Sequence, residues 1–205
     1  MSGSSSWNPA PIPRRRAGPK GRGGAVRVLC VATLVPRKGH EVLFRALAAL
    51  RALPWRLECI GSTTRAPAEA ARLGALRREL GLESRIALRG ELDEAALEAA
   101  WAAADLFVLP TLYEGHGMAV GEAIAHGLPV VASDTGSIAA LVGPEAGRLV
   151  APGDVAALAT ALRALLQDPS ALQACSSAAM QRAAALRRWP QAAAEFEQAL
   201  LRWRH

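Results

Sequence analysis

The chain has 205 residues, 51% of them hydrophobic and 4% aromatic, which suffices for one sizeable core and excludes an intrinsically disordered protein. No run of eighteen uncharged apolar residues occurs, so we predict no transmembrane helix, and residues 1–24 lack the apolar stretch of a secretory signal. The cysteines Cys30, Cys59 and Cys175 show neither metal-ligand spacing nor a disulfide framework. They are interpreted as buried thiols in a protein of the reducing cytoplasm.

The net charge of +6 is concentrated near the start of the chain. Residues 1–24 hold five basic residues and no acidic residue, which leaves +1 for all the others. We therefore predict a flexible basic lead-in over residues 1–24 and no nucleic-acid partner for the folded part. Peripheral contact of the lead-in with anionic lipid stays open beside the interpretation as a solvated linker. The basic residues are Arg14, Arg15, Arg16, Lys20 and Arg22.

From residue 25 onward, short apolar runs alternate with segments of helical periodicity. This alternation predicts an α/β fold of Rossmann type, with a parallel sheet and helices on both of its faces. The pattern predicts strands at 28–32, 55–60, 85–88, 106–109, 129–132 and 147–150. It predicts the intervening helices at 39–53, 67–80, 93–103, 118–126 and 137–141. Further helices are expected at 154–166, 170–186 and 190–203, so residues 168–205 would form terminal helices of one domain spanning 25–205.

Ligands of such sheets bind at the carboxyl ends of the strands. This rule selects four loops, which we expect to converge. They cover residues 33–39, 61–65, 89–91 and 111–117.

The segment 105–136 concentrates the polar chemistry of the chain. Its loop carries Glu114, and Glu122 follows about one turn into the next helix. Between them lies a glycine-flanked helix start, whose free N–H groups and dipole favour an anion. Phosphate held by amides, with carboxylates nearby for hydroxyl groups, is an arrangement that fits a nucleotide sugar.

The nine residues from Glu114 to Glu122, EGHGMAVGE, resemble the E-x7-E motif of the family 4 retaining glycosyltransferases. The flanking segments ADLFVLPT (104–111) and AHGLPVVA (125–132) are similar to that family too. The resemblance implies the carboxyl-terminal, donor-binding half of a GT-B enzyme, whose last helix crosses to the other domain. An acceptor-binding half would require on the order of 150 further residues. We expect an exposed apolar patch near the last helix, where that missing or separate domain docks.

The resemblance also implies roles for individual residues. Glu122 would accept hydrogen bonds from the ribose hydroxyls, and Glu114 would contact the donor sugar near its reacting carbon as the catalytic residue. Lys38 would hold the diphosphate, although without the resemblance it would be interpreted as an ordinary surface lysine. The family's usual arginine position is occupied by Thr33, and Arg37 is the expected substitute.

The remaining donor contacts implied by the family are made by loop residues. The backbone N–H groups of His116, Gly117 and Met118 would face the sugar or phosphate, a role we favour over side-chain catalysis by the histidine. Gly61, Ser62, Arg89 and Gly90 would frame the base. No metal and no cofactor is required, because the lysine and the helix start can stabilise the departing diphosphate.

These residues predict a glycosyltransferase domain that binds a nucleoside-diphosphate sugar and transfers the hexose with retention to an unknown acceptor. A catalytically silent nucleotide-binding fragment and a sugar-nucleotide epimerase are the alternatives. A redox Rossmann domain is disfavoured because no G-x-G-x-x-G follows the first strand.

Overall fold

The computed structural model describes residues 24–185, which fold around one six-stranded sheet. All neighbouring strands pair in parallel, in the order β3-β2-β1-β4-β5-β6. This confirms the predicted fold class. The strands are β1 (Val26–Val31), β2 (Trp55–Ile60), β3 (Ile86–Gly90), β4 (Leu106–Leu109), β5 (Val130–Ser133) and β6 (Gly147–Val150).

Seven α-helices connect and cover the strands, and a short 3-10 helix, Pro36–Lys38, precedes the first of them. They form two layers, because α1 packs against α2 and α6, whereas α4 packs against α5 and α7. The helices are α1 (His40–Ala48), α2 (Pro67–Glu79), α3 (Glu94–Ala103), α4 (Met118–Ala125), α5 (Ile138–Val142), α6 (Val155–Gln167) and α7 (Pro169–Ala185). Within residues 24–185, no helix is long and apolar enough to cross a bilayer.

The first helix ends five residues before its predicted end at residue 53. The chain makes two further turns, with Leu50 N–H donating to the Leu47 carbonyl and Leu53 N–H to the Leu50 carbonyl. Arg85 stabilises this ending, because its guanidinium donates to the carbonyls of Arg51, Leu53 and Trp55. The same guanidinium lies 3.9 Å from the centroid of the Trp55 ring. The end of α1 is therefore stabilised by a residue that lies 34 positions further along the chain. The hydrophobic periodicity of the local sequence does not contain this contact and placed the end of the helix too late.

The helical prediction for 190–203 and the lead-in 1–23 lie outside the described residues, and so does the predicted docking patch near the last helix. Asp93 caps the amino terminus of α3, since its Oδ1 accepts from Ala96 N–H at 2.8 Å. The start of α6 is built in the same way by Asp154. Such caps satisfy one of the free amides of the first turn.

Burial is uneven across the sheet. All residues of β4 and β5 are buried, as is normal for a parallel sheet covered by helices on both faces. In β1 and β2, by contrast, buried residues alternate with the exposed charged residues Arg27, Arg56 and Glu58. One face of the sheet is therefore open at the amino ends of these two strands.

Candidate functional site

The strand order reverses between β1 and β4. The chain leaves β1 toward β2 on one side and leaves β4 toward β5 on the other. The two connections diverge at the carboxyl edge, and this switch point is where open α/β sheets bind ligands. Lys38 comes from the connection after β1, and Glu114 comes from the connection after β4.

Hydrogen bonds join the four loops that were expected to converge. Leu34 N–H donates to the Ser62 carbonyl at 3.0 Å, and Gly61 N–H donates to the Gly90 carbonyl at 2.9 Å. Leu112 N–H donates to the Arg37 carbonyl at 2.7 Å. The loops therefore form one continuous edge, in the spatial order of their strands, and the prediction of convergence is confirmed.

Gly39 allows the β1 loop to approach the end of β4. Its φ is +69°, and a Cβ atom at this position would lie 1.9 Å from the carbonyl oxygen of Pro110. A side chain would therefore separate the two loops. Because Gly39 has no side chain, the preceding residue, Lys38, comes within reach of the residues that follow β4.

Lys38 and Glu114 form an ion pair at the switch point. Lys38 Nζ lies 2.5 Å from Glu114 Oε2, and the two side chains are only 14% and 15% exposed. Burial opposes ionisation of Glu114, but the hydrogen bond and charge of Lys38, the Gly117 N–H and the charge of Arg37 together lower its pKa. The carboxylate is therefore held ionised beside a cation.

The start of α4 lies next to this pair. Gly117 occupies the cap position with a φ of +67°, no side chain caps the helix, and its first turn contains no acidic residue. Glu114 Oε1 accepts from Gly117 N–H at a long 3.5 Å. The amides and the positive end of the helix dipole therefore face the same space as Lys38.

A fifth loop, which follows β5, supports the Glu114 segment. Ser137 Oγ donates to the Gly115 carbonyl at 3.2 Å. Gly136 has a φ of +55°, and a Cβ atom there would lie 2.0 Å from the Glu114 carbonyl oxygen. These two residues were missed in the sequence. The carboxyl-end rule that selected four loops applies equally to the residues after β5, which were left out.

Glu122 lies one turn into α4 and is exposed to solvent. Partial desolvation by the surrounding protein, and then the negative charge of Glu98 on α3, raise its pKa. Glu98 also lies 3.6 Å from His126 Nε2. Hydrogen-bond donors such as hydroxyl groups would therefore stabilise the ionised form of Glu122.

The other predicted residues lie along the same edge. Arg37 is exposed, and its carbonyl accepts from Thr111 Oγ1 at 3.0 Å, while its charge contributes at Glu114. Ser62 is buried, with its hydroxyl 3.1 Å from that of Thr64. The structure also places three exposed residues (His116, Met118 and Arg89) and three half-buried ones (Thr33, Gly61 and Gly90) at this edge.

No group of three or more potential metal ligands occurs within residues 24–185. Cations at this edge are supplied by side chains instead. Lys38 and Arg37 are the two that act on Glu114.

We expect the ion pair of Glu114 to give a pH-dependent contribution to stability. Its pKa is lower in the folded than in the unfolded state, so the stabilisation is present above the unfolded value, about 4.3, and is lost as pH falls through the folded pKa. Denaturant unfolding should show the wild type more stable than Glu114→Gln by about 1 kcal/mol at pH 7, with no difference remaining in strong acid.

The matched control is Glu122→Gln, which should show the opposite sign. Because the pKa of Glu122 is raised, its charged form disfavours the folded state. Removing the charge should stabilise the protein at pH 7, and the effect should vanish as pH falls through the folded pKa. Equal, pH-independent effects of both substitutions would contradict these electrostatic assignments.

The fold and this edge define an α/β domain of Rossmann type, with a buried ion pair and a helix start without a side-chain cap at the switch point. Residues 25–168 match the family model described as Glycosyl transferases group 1. The chain therefore belongs to the group 1 glycosyltransferase family.

Comparison with three similar proteins shows what share of their length this chain covers. The MMP alpha-(1->4)-mannosyltransferase of Mycolicibacterium hassiacum is 35% identical over 157 residues, which cover 72% of this chain and 36% of that protein. Sucrose-phosphate synthase from Thermosynechococcus elongatus has a TM-score of 0.80 at 33% identity, covering 87% of this chain and 45% of that one. Anabaena Alr3699/HepE, in complex with UDP and glucose, has a TM-score of 0.79 at 25% identity, covering 86% and 48%. The chain spans less than half the length of each.

Proposed function

We propose that this domain binds the nucleoside-diphosphate sugar for a retaining glycosyltransferase and provides the donor half of its active site. The observation that carries the proposal is the Lys38–Glu114 ion pair beside the uncapped start of α4 at the β1/β4 switch point. The complex of Anabaena Alr3699/HepE with UDP and glucose supports a nucleotide ligand at this kind of site.

The diphosphate would lie between Lys38 and the first amides of α4. A lysine supplies a point charge, and helix-terminal N–H groups supply directed hydrogen bonds to phosphate oxygens. Both act in a partly buried site, where such contacts are stronger than in open water. Together they would stabilise the negative charge that develops on the leaving diphosphate, without a metal ion or other cofactor.

Donor binding would exchange the partner of Lys38. In the structure its ammonium is paired with Glu114, so an incoming diphosphate must share or replace that carboxylate. A displaced Glu114 keeps its contact to Gly117 N–H and would face the donor sugar near its reacting carbon. The ion pair would thus keep both catalytic charges buried and compensated until the donor arrives.

The nucleoside would extend along the edge from this point. Glu122 would accept hydrogen bonds from the ribose hydroxyls, because burial and the charge of Glu98 raise its pKa and hydroxyl donors would stabilise its charged form. Gly61, Ser62, Arg89 and Gly90, at the ends of β2 and β3, would frame the base. The exposed side chain of Arg37 would add a second cation near the diphosphate.

The acceptor would be bound by a second domain or a separate chain. The proposal is supported by the share of the similar proteins that the chain covers, 36% to 48%. Hexose transfer would then require both parts, with the donor half described here acting in the cytoplasm.

A catalytically silent nucleotide-binding module is the second candidate. It would bind nucleotide equally well but show no turnover with any acceptor domain. An epimerase would alter the sugar of the donor with no acceptor present. Product analysis after adding an acceptor domain separates the three outcomes.

Thermal unfolding with UDP, GDP and ADP tests the proposed donor site. A ligand at about a hundred times its dissociation constant adds about 2.7 kcal/mol. For a domain of this size we expect Tm to rise by roughly 5–10 °C with one of the three nucleotides. The rise should be lost in Glu122→Ala.

The control is Glu145→Ala, which removes an exposed carboxylate from the connection between α5 and β6, away from the carboxyl edge. It should preserve the nucleotide-dependent rise. A lack of any rise in the wild type, or an equal loss in both variants, would overturn the assignment of the donor site.

A further inference from the structure

A second charged cavity lies at the opposite edge of the sheet. Its volume is about 330 Å³, and it opens where one face of β1 and β2 is uncovered. The cavity is far from the donor site, because Arg27 precedes the carboxyl end of β1 by four residues, about 13 Å along a strand. Its charged lining consists of Arg27, Arg56 and Glu58. Its apolar wall includes Ala100 and Ala103 of α3 and Ala104, which directly follows that helix.

The two arginines are direct neighbours across the sheet. Arg27 and Arg56 are register partners on adjacent parallel strands, which places their backbones about 4.8 Å apart. Both side chains are exposed and leave the same face. Like charges at this spacing repel each other unless an anion lies between them.

Two carboxylates offset part of this charge, since Asp105 Oδ2 accepts from the Arg27 backbone N–H at 3.0 Å and Glu58 lines the same cavity. Within residues 24–185, neither guanidinium donates a hydrogen bond or forms an ion pair. Burial, followed by the positive charge of Arg56, lowers the pKa of the neighbouring Arg85.

Small side chains on α3 create the space. The helix passes over this part of the sheet with alanines, and larger residues would fill the cavity. Glu58 lies two residues after Arg56 on the same face of β2, about 6.6 Å further along the strand. The cavity therefore combines a pair of anion-binding groups with one hydrogen-bond acceptor a fixed distance away.

We propose that this cavity is a second ligand site, which binds the phosphate monoester of a small hydroxylated molecule. The phosphate would lie between Arg27 and Arg56, because two guanidinium groups match a doubly charged oxyanion. Glu58 would accept a hydrogen bond from a hydroxyl group of the same ligand. The carboxylate also disfavours a second anionic group, so the site selects against nucleoside diphosphates.

Isothermal titration calorimetry of the full chain with glycerol 3-phosphate tests this site. We expect saturable binding that weakens about tenfold or more in Arg27→Gln and in Arg56→Gln, since each removes a charge-assisted contact. Lys38→Met should leave this binding unchanged, which separates it from phosphate bound at the donor edge. Arg163→Gln, which changes an exposed arginine on α6, is the matched control.

Two further probes test the ligand chemistry. Methyl phosphate lacks the hydroxyl group, so it should bind more weakly than glycerol 3-phosphate to the wild type. In Glu58→Met, which has no strong hydrogen-bond acceptor at this position, the two ligands should bind equally well. The carboxylate 4-hydroxybutyrate should bind more weakly than glycerol 3-phosphate. Tighter binding of the carboxylate would overturn the assignment to a phosphate monoester.

Binding that survives both glutamine substitutions, or disappears only in Lys38→Met, would overturn the second site altogether. The circular dichroism melt of each variant checks its fold. If a glutamine variant is unfolded, Arg27→Lys and Arg56→Lys keep the positive charge but lose the bidentate geometry. They should weaken binding without removing it, and unchanged affinity in both would equally contradict the proposal.

Discussion

Lys38→Met should weaken nucleoside-diphosphate binding by about 10–150-fold, the largest effect expected of any single side chain at the donor edge. A charge-assisted hydrogen bond contributes about 1.5–3 kcal/mol, and Lys38 is the mostly buried cation at the switch point. Methionine keeps the length and apolar stem of lysine, so packing changes little. Calorimetric titration with the nucleotide that stabilises the wild type measures the loss.

Glu114→Gln should change the same affinity in the opposite direction. Removing the carboxylate frees Lys38 for the diphosphate and deletes a negative charge next to it. The nucleoside diphosphate should therefore bind severalfold more tightly, while sugar transfer with an added acceptor domain falls. Arg78→Met, on the exposed surface of α2, is the neutral control. Weaker binding in both Lys38→Met and Glu114→Gln would show that the pair acts only as scaffold.

Gly39→Ala should destabilise the fold by about 2–5 kcal/mol. The left-handed conformation costs a residue with a Cβ atom about 1–2 kcal/mol. The clash with the Pro110 carbonyl, 1.9 Å from the added carbon, adds a packing cost of about 1–3 kcal/mol. Thermal unfolding should show a Tm lower by roughly 4–20 °C. Nucleotide binding should also weaken, because the clash displaces Lys38 from the start of α4, where the diphosphate is proposed to lie.

Gly74→Ala is the matched control for this substitution. Gly74 lies within α2, where an added Cβ atom would approach nothing closer than an Arg78 nitrogen at 4.0 Å. Alanine is the better helix former by about 1 kcal/mol, so this variant should be slightly more stable than the wild type. Destabilisation of similar size in both variants would show that the contact between Gly39 and Pro110 has no special role.

The sequence by itself determined the class of fold and the segment that carries the site. Short apolar runs between helical segments predicted all six strands, most clearly β4 and β5, which are buried throughout. The E-x7-E segment and its flanks indicated the glycosyltransferase family, which the match over residues 25–168 confirms. These features are local, so neighbouring residues suffice to reveal them. The roles predicted for Glu114, Glu122 and the other donor residues stay predictions.

Only the tertiary structure decided which charges meet. Lys38 and Glu114 are 76 residues apart in the chain, and a surface lysine has the same local sequence signature as one paired at a switch point. The contact exists because strand order places β1 beside β4 and because Gly39 lets the loops touch. Likewise, the register that puts Arg27 beside Arg56 is set by strand pairing. Long-range pairing depends on the whole sheet, and no local window of sequence contains it.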